Sequence, residues 1–227
     1  MLREFAAAAV LSAVPAVASA VVLGYGFNTL PGTSVAAEPG LAGTVVEDVR
    51  VPFSLPIADG IFTGSVQNRV VLADDGTYDF YWRIDDTSFT GTAAARIGQL
   101  RLGGFGPSLL GTNANYRTDG AGTVGPDRAF VFEPPFDGSI NFLFAGGLPA
   151  GTDTRFFFLD TNATAYGLTA IYDLTDLAET VLTDSYATFG PAPGGPVAPV
   201  PEPGVLALLG LGTLLLAAGR RASRPKA

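Results

Sequence analysis

Asp79, Asp85, Glu133 and Asp160 are the side chains of this sequence best suited to a reaction. Two carboxyl groups held across a glycosidic bond suffice to hydrolyse it, one as acid and the other as base or nucleophile. All four residues fall at the ends or on the faces of predicted strands. Solvated surface charge explains the same residues, because a chain with 21 Asp and Glu residues always places some pair at a workable spacing. Hard oxygen ligands for calcium are also plentiful. Asp160-Thr161-Asn162-Ala163-Thr164 opens like an EF-hand loop, but Ala165 stands where that loop needs Gly and Ile171 where it needs its bidentate Glu. The motif therefore fails, and Asp74-Asp75-Gly76 reads as a turn rather than a ligand set. Tyr81, Trp82 and the run Phe156-Phe157-Phe158 could offer flat faces to sugar rings or pack in a core. Consecutive aromatics on a strand point to opposite faces, so burying all three would require a sheet covered on both sides.

Composition removes whole classes of chemistry. The chain has no His and no Cys, which excludes imidazole bases, thiolate nucleophiles, His-ligated zinc, Ser-His-Asp triads and disulfides. With no nucleophile and base in evidence, the expectation is a protein that is not an enzyme, with no catalytic residue, no cofactor and no metal. The net charge is −8 and the only lysine is Lys226, so the region between Val21 and Pro203 is acidic, its bases all arginine. Such a surface repels phosphate backbones and anionic lipid head groups, which sets nucleic acid aside as a partner.

The elements that would position these residues read as β-structure. From Ala42 to Phe189 the apolar pattern has a period of two: Tyr78, Phe80, Trp82 and Ile84 fall on one face, and Asp79, Tyr81, Arg83 and Asp85 on the other. Val66 to Leu72 precedes them across Asp74-Asp75-Gly76, which predicts a hairpin. Further strands are predicted at Val45 to Phe53, Ala94 to Leu102, Ala129 to Glu133, Ile140 to Phe144, Arg155 to Leu159, Ala165 to Tyr172 and Val181 to Phe189. Many short strands between turn signals predict an all-β fold, an antiparallel β-sandwich or jelly roll, as one domain over residues 21–189. The Gly/Pro-interrupted stretch from Val21 to Gly40 could be an extended arm.

The two ends read as addresses. Arg3 precedes an apolar run from Phe5 to Val17, and Ala18-Ser19-Ala20 supplies the small residues that signal peptidase accepts, which predicts a signal peptide over residues 1–20 with Ala18 and Ala20 at the cleavage site. A Pro/Gly/Ala linker over residues 190–200 leads to Pro201-Glu202-Pro203, then an apolar run from Val205 to Ala218, then a basic membrane flank of Arg220, Arg221, Arg224 and Lys226. As a helix the run would span about 21 Å, against roughly 30 Å of bilayer hydrocarbon. The basic flank should stay cytoplasmic, which puts Pro201-Glu202-Pro203 at the outer face of the inner membrane.

Val200-Pro201-Glu202-Pro203, the Gly- and Leu-rich run and the terminal arginines resemble the PEP-CTERM sorting domain, here over residues 201–227. The resemblance implies recognition of Pro201, Glu202 and Pro203 by an exosortase, transient residence in the inner membrane, and a place in the envelope, surface or extracellular matrix of a Gram-negative bacterium. Gly76-Thr77-Tyr78-Asp79-Phe80-Tyr81-Trp82-Arg83, Leu100 to Phe105 and Phe156 to Thr164 are likewise similar to a recurrent type of PEP-CTERM protein, from which no catalytic residue transfers. The expected role is adhesive or structural. The alternative is a carbohydrate-binding module that engages exopolysaccharide through aromatic and Asp/Asn side chains, and a third reading is a hydrolase using carboxylates alone.

Overall fold

A computed structural model of the chain describes residues 19–57, 59–136 and 138–193. The chain divides into two compact units, Met1–Pro193 and Gly194–Ala227, and the described residues all belong to the first. Most of the signal segment with Ala18, and the whole sorting segment with Pro201, Glu202, Pro203 and its basic flank, lie outside the described residues.

Among the described residues, twelve strands form two six-stranded sheets. They are β1 (Val21–Val22), β2 (Gly26–Thr29), β3 (Gly43–Ile57), β4 (Gly60–Ala73), β5 (Tyr78–Phe89) and β6 (Arg96–Gly103). Then follow β7 (Asn113–Tyr116), β8 (Arg128–Val131), β9 (Ile140–Pro149), β10 (Phe157–Ala163), β11 (Tyr166–Asp176) and β12 (Tyr186–Pro191). The first sheet has the order β1-β7-β10-β5-β4-β3 and the second β12-β11-β6-β9-β8-β2, with every strand pair antiparallel. The architecture is the antiparallel β-sandwich that the alternating pattern predicts.

The β4–β5 hairpin forms where Asp74-Asp75-Gly76 places it. Gly76 takes φ +88°, a left-handed conformation in which a Cβ is strained, and its N–H donates to the Ala73 carbonyl at 3.0 Å. Asp75 Oδ1 accepts from the Thr77 N–H at 3.0 Å and its hydroxyl at 2.6 Å, so this carboxylate serves the turn. Several boundaries differ from the predicted ones. β3, β4 and β5 run longer, because the hairpins continue past the point where apolar alternation fades. Conversely, the predicted strand from Val181 narrows to Tyr186–Pro191. Strands β1, β2 and β7 were not predicted: β1 is only two valines and β2 and β7 are short and largely polar, and all three pair with a neighbour that supplies backbone partners. Residues 21–40 are accordingly not a simple arm.

The sandwich interior is aromatic. Phe80, Trp82, Phe142 and Phe157 are at most 1 % exposed and pack ring against ring between the sheets, with centroids 4.8 Å apart for Phe142 and Phe157. Trp82 Nε1–H donates to Thr188 Oγ1 at 2.9 Å, and the Thr188 hydroxyl donates to Asn68 Oδ1 at 2.8 Å. This polar chain ties β12 of one sheet to β4 and β5 of the other and satisfies the indole N–H that burial would otherwise leave bare.

The first sheet is covered on its outer side as well. A second apolar cluster there joins Leu41, Val71, Tyr81, Phe156 and Phe158, with Ala20 and Val35 packed on it. The segment after β2 lies over this face: the Val35 N–H donates to Asp119 Oδ2 at 2.8 Å, and a short 3₁₀ turn, Pro39–Leu41, seats Leu41 in the cluster.

Candidate functional site

The four carboxylates do not gather as one group, although Asp79 and Asp160, on the paired strands β5 and β10, lie within electrostatic reach of each other. Asp79 and Asp85 share one face of β5 but stand six residues apart, about 20 Å along a strand, whereas glycosidase carboxyls sit about 5 to 9.5 Å apart. Asp79 is 1 % exposed and accepts the Thr161 N–H at 3.1 Å. Burial, reinforced by the Asp160 charge, pushes its carboxyl up to about 8. Asp160, on the neighbouring β10, accepts from Asn113 Nδ2 at 3.0 Å and lines an open groove with Asn113 and Thr161 that Asp79 does not reach. Asp85 is equally buried, and its Oδ2 bridges Arg50 at 2.9 Å and Arg83 at 3.1 Å. Burial raises its pKa against the pull of those two guanidiniums. Glu133 is exposed on the turn after β8.

Asp160 to Ala163 continues β10 rather than looping around an ion. Among the described residues no group of three or more metal-ligating side chains comes together.

The aromatic candidates are placed differently from a sugar platform. Tyr81, Trp82, Phe156, Phe157 and Phe158 are all buried. Phe157 enters the interior with Trp82, while Phe156 and Phe158 turn outward into the cluster beneath Leu41 and Val35. The two-sided cover that consecutive aromatics require is present, so of the two readings of these rings, core packing and sugar platform, the structure shows core packing.

An aromatic face does exist, on the outer side of the second sheet. Phe27 on β2 pairs with Phe130 on β8, and the rings of Phe27, Phe130 and Phe132 form an edge-to-face ladder with centroids 4.8 and 4.9 Å apart. Phe27 is 60 % exposed, and the Arg128 guanidinium lies 4.9 Å from its centroid. Across β9, β6 and β11 the same row continues through Asn141, Arg101 and Asp173, the last two joined by a bidentate pair at 2.6 and 2.8 Å. A groove of about 270 Å³ runs between this pair and the rings of Phe132 and Phe136. Sequence pattern missed it because four consecutive apolar residues, Ala129 to Phe132, occupy the strand predicted from Ala129. Alternation then names no outer face, and only the pairing shows that Ala129 and Val131 face the core.

At the N-terminal edge, Ser19 and Ala20 are tied to the body: the Ser19 carbonyl accepts from Asn115 Nδ2 at 3.2 Å and the Ala20 N–H donates to Glu38 Oε1. β1 begins at the next residue, Val21. Among the described residues no helix is long and apolar enough to cross a membrane, and the apolar run from Val205 to Ala218 lies outside them. The PEP-CTERM protein-sorting motif matches residues 199–224. No curated protein and no solved structure matches the chain. That motif contains Pro201, Glu202 and Pro203 and marks an exported substrate of exosortase and signal peptidase, bound for the Gram-negative envelope or surface. The chain is a PEP-CTERM domain-containing protein.

Proposed function

We propose that the protein is a non-catalytic surface or matrix component with a structural or adhesive role. The observation that carries this reading is the sorting motif at residues 199–224, which delivers a rigid sandwich to the cell exterior. Asp79 and Asp85 support it, since one is buried beneath a backbone amide and the other is held between two arginines. The test is removal of Pro201 to Ala227 in the producing cell, followed by fractionation and mass measurement. Retention of the truncated protein at a changed location is expected. Unchanged location and processing would remove the basis of the reading.

A second reading is carbohydrate binding, favoured by the Phe27, Phe130 and Phe132 ladder beside Asn141, Arg101 and Asp173. Exposed rings flanked by hydrogen-bonding groups suit the C–H and hydroxyl faces of a sugar. Retardation of the mature protein in gels cast with exopolysaccharide, weakened several-fold by Phe27→Ala, is the expected result. Migration unaffected by any polysaccharide would sink it.

A further inference from the structure

On the outer side of the first sheet, beside the cluster of Leu41 and Phe156, lies a cavity of about 360 Å³. Four arginines line it, Arg50, Arg69, Arg83 and Arg117, and no carboxylate does. In a chain of net charge −8 this is an unusual concentration of one sign. The matching carboxylates hold the guanidiniums in place. Asp48 binds Arg69 at 2.8 Å, Asp119 takes Arg117 in a bidentate pair at 2.7 and 3.1 Å, and Asp153 and Asp85 hold Arg83 at 2.6 and 3.1 Å. Arginines fixed in this way are pre-organised donors, since a guanidinium carries five N–H groups in a rigid fork.

The cavity also gathers polar atoms that the protein leaves unpaired. Five buried side-chain atoms among the described residues have no hydrogen-bond partner, and three of them belong to residues lining this one space: Tyr81 Oη, Gln67 Oε1 and Arg69 Nε. Tyr81 is 3 % exposed and Gln67 is 7 % exposed. Leaving such groups bare costs roughly 1 to 3 kcal/mol each, so their convergence asks for an occupant. The orientation of Gln67 is fixed, because its Nε2 donates at 2.7 Å to Asp48 Oδ1, which only accepts, and Oε1 is therefore the free acceptor. The Arg117 guanidinium stands close enough to the Tyr81 hydroxyl to interact with it, without a hydrogen bond of ordinary geometry.

These atoms specify complementary chemistry. Arg69 Nε–H and the flanking guanidiniums call for an anion, and the planar fork suits a carboxylate. Gln67 Oε1 calls for a donor, which a carboxylate lacks and a hydroxyl supplies. The apolar walls, Leu41 and Val71, suit the C–H face of a ring, while the face of Phe156 is taken by the Arg69 guanidinium, 4.3 Å from its centroid. We infer that this cavity binds a hydroxylated carboxylate, the chemistry of a uronic acid unit. The site lies on the opposite sheet from the Phe27 ladder and is independent of it.

Titration calorimetry of the mature protein with galacturonate and oligogalacturonate tests this, with galactose and inorganic phosphate as comparisons. Binding of the uronates is expected, with Tyr81→Phe weakening it roughly tenfold, the share of one hydrogen bond. Because no hydrogen bond of ordinary geometry reaches the Tyr81 hydroxyl, Tyr81→Phe should melt at about the same temperature as the parent. Should that variant fail to fold, Arg69→Lys, which keeps the charge and loses the Nε donor, carries the same test. Absence of heat with both uronates would overturn the inference and leave a water-filled space. Binding indifferent to Tyr81→Phe and Arg69→Lys, or equally strong for phosphate or galactose, would overturn it too.

Discussion

Asp79 is the residue at which solution pH should act on this fold. Its carboxyl is protonated in the folded state up to about pH 8, whereas in the unfolded chain it ionises in the ordinary carboxylate range. Between about pH 4 and pH 8 the folded state thus holds a proton that the unfolded state has released, and stability falls as pH rises through that window. Asp79→Asn removes the titration and keeps an oxygen to accept the Thr161 N–H. The variant should lose most of the pH dependence over that window and gain on the order of 3 kcal/mol at the alkaline end. Urea midpoints at pH 5 and pH 8 give the answer; a parent midpoint flat across the two would show Asp79 ionised in the fold. Not every buried polar group behaves this way. Thr188, donating to Asn68 while accepting from Trp82, is satisfied at both ends and indifferent to pH.

At the scale of elements, β3 manages an exposed sheet edge. Over its 15 residues it pairs with β4 alone, which leaves its other side open to another chain. Such an edge is a template for association unless it is interrupted. Pro52 and Pro56 remove amide donors there, the register shift between Val45 and Glu47 bends the strand, and Glu47, Asp48 and Arg50 add charge to a stretch that exposes Val45, Val46 and Val49. Replacing Pro52 and Pro56 together by Val restores an unbroken apolar edge. Concentration-dependent dimers or larger species are the expected outcome by light scattering, and a variant that stays monomeric at all concentrations would show that the prolines do not guard the edge. On the same sheet, the cover supplied by Val35 and Leu41 lets three consecutive phenylalanines, Phe156 and the first two residues of β10, all be buried.

For the whole molecule, the body and its address are separate kinds of information. The sandwich has its own continuous core within Met1–Pro193, while the sorting motif occupies residues 199–224. The address restricts where the protein goes without restricting its chemistry. The aromatic ladder of the second sheet and the arginine-lined cavity of the first, the two surfaces proposed to bind, both lie well away in sequence from the sorting residues.

The sequence by itself determined the features that are local or compositional. Pro201-Glu202-Pro203 with its apolar run and basic end is legible because a sorting signal is read as a linear segment. The β4–β5 hairpin is legible because Asp74-Asp75-Gly76 encodes its own turn and the strand beside it alternates. The absence of His and Cys excluded their chemistries without any fold. Tertiary structure decided the rest, because it depends on which faces meet. Whether Tyr81 and Phe156 are platform or core is set by a segment more than a hundred residues from Phe156 folding over them. The exposure of Phe27 beside the half-buried Phe130 follows from β2 and β8 pairing at the rim of a sheet, and the gathering of Arg50, Arg69, Arg83 and Arg117 around one cavity follows from the apposition of β3, β4, β5 and the loop after β7. Alternation along a strand says which side chains share a face; only the packing of distant strands says what lies opposite that face.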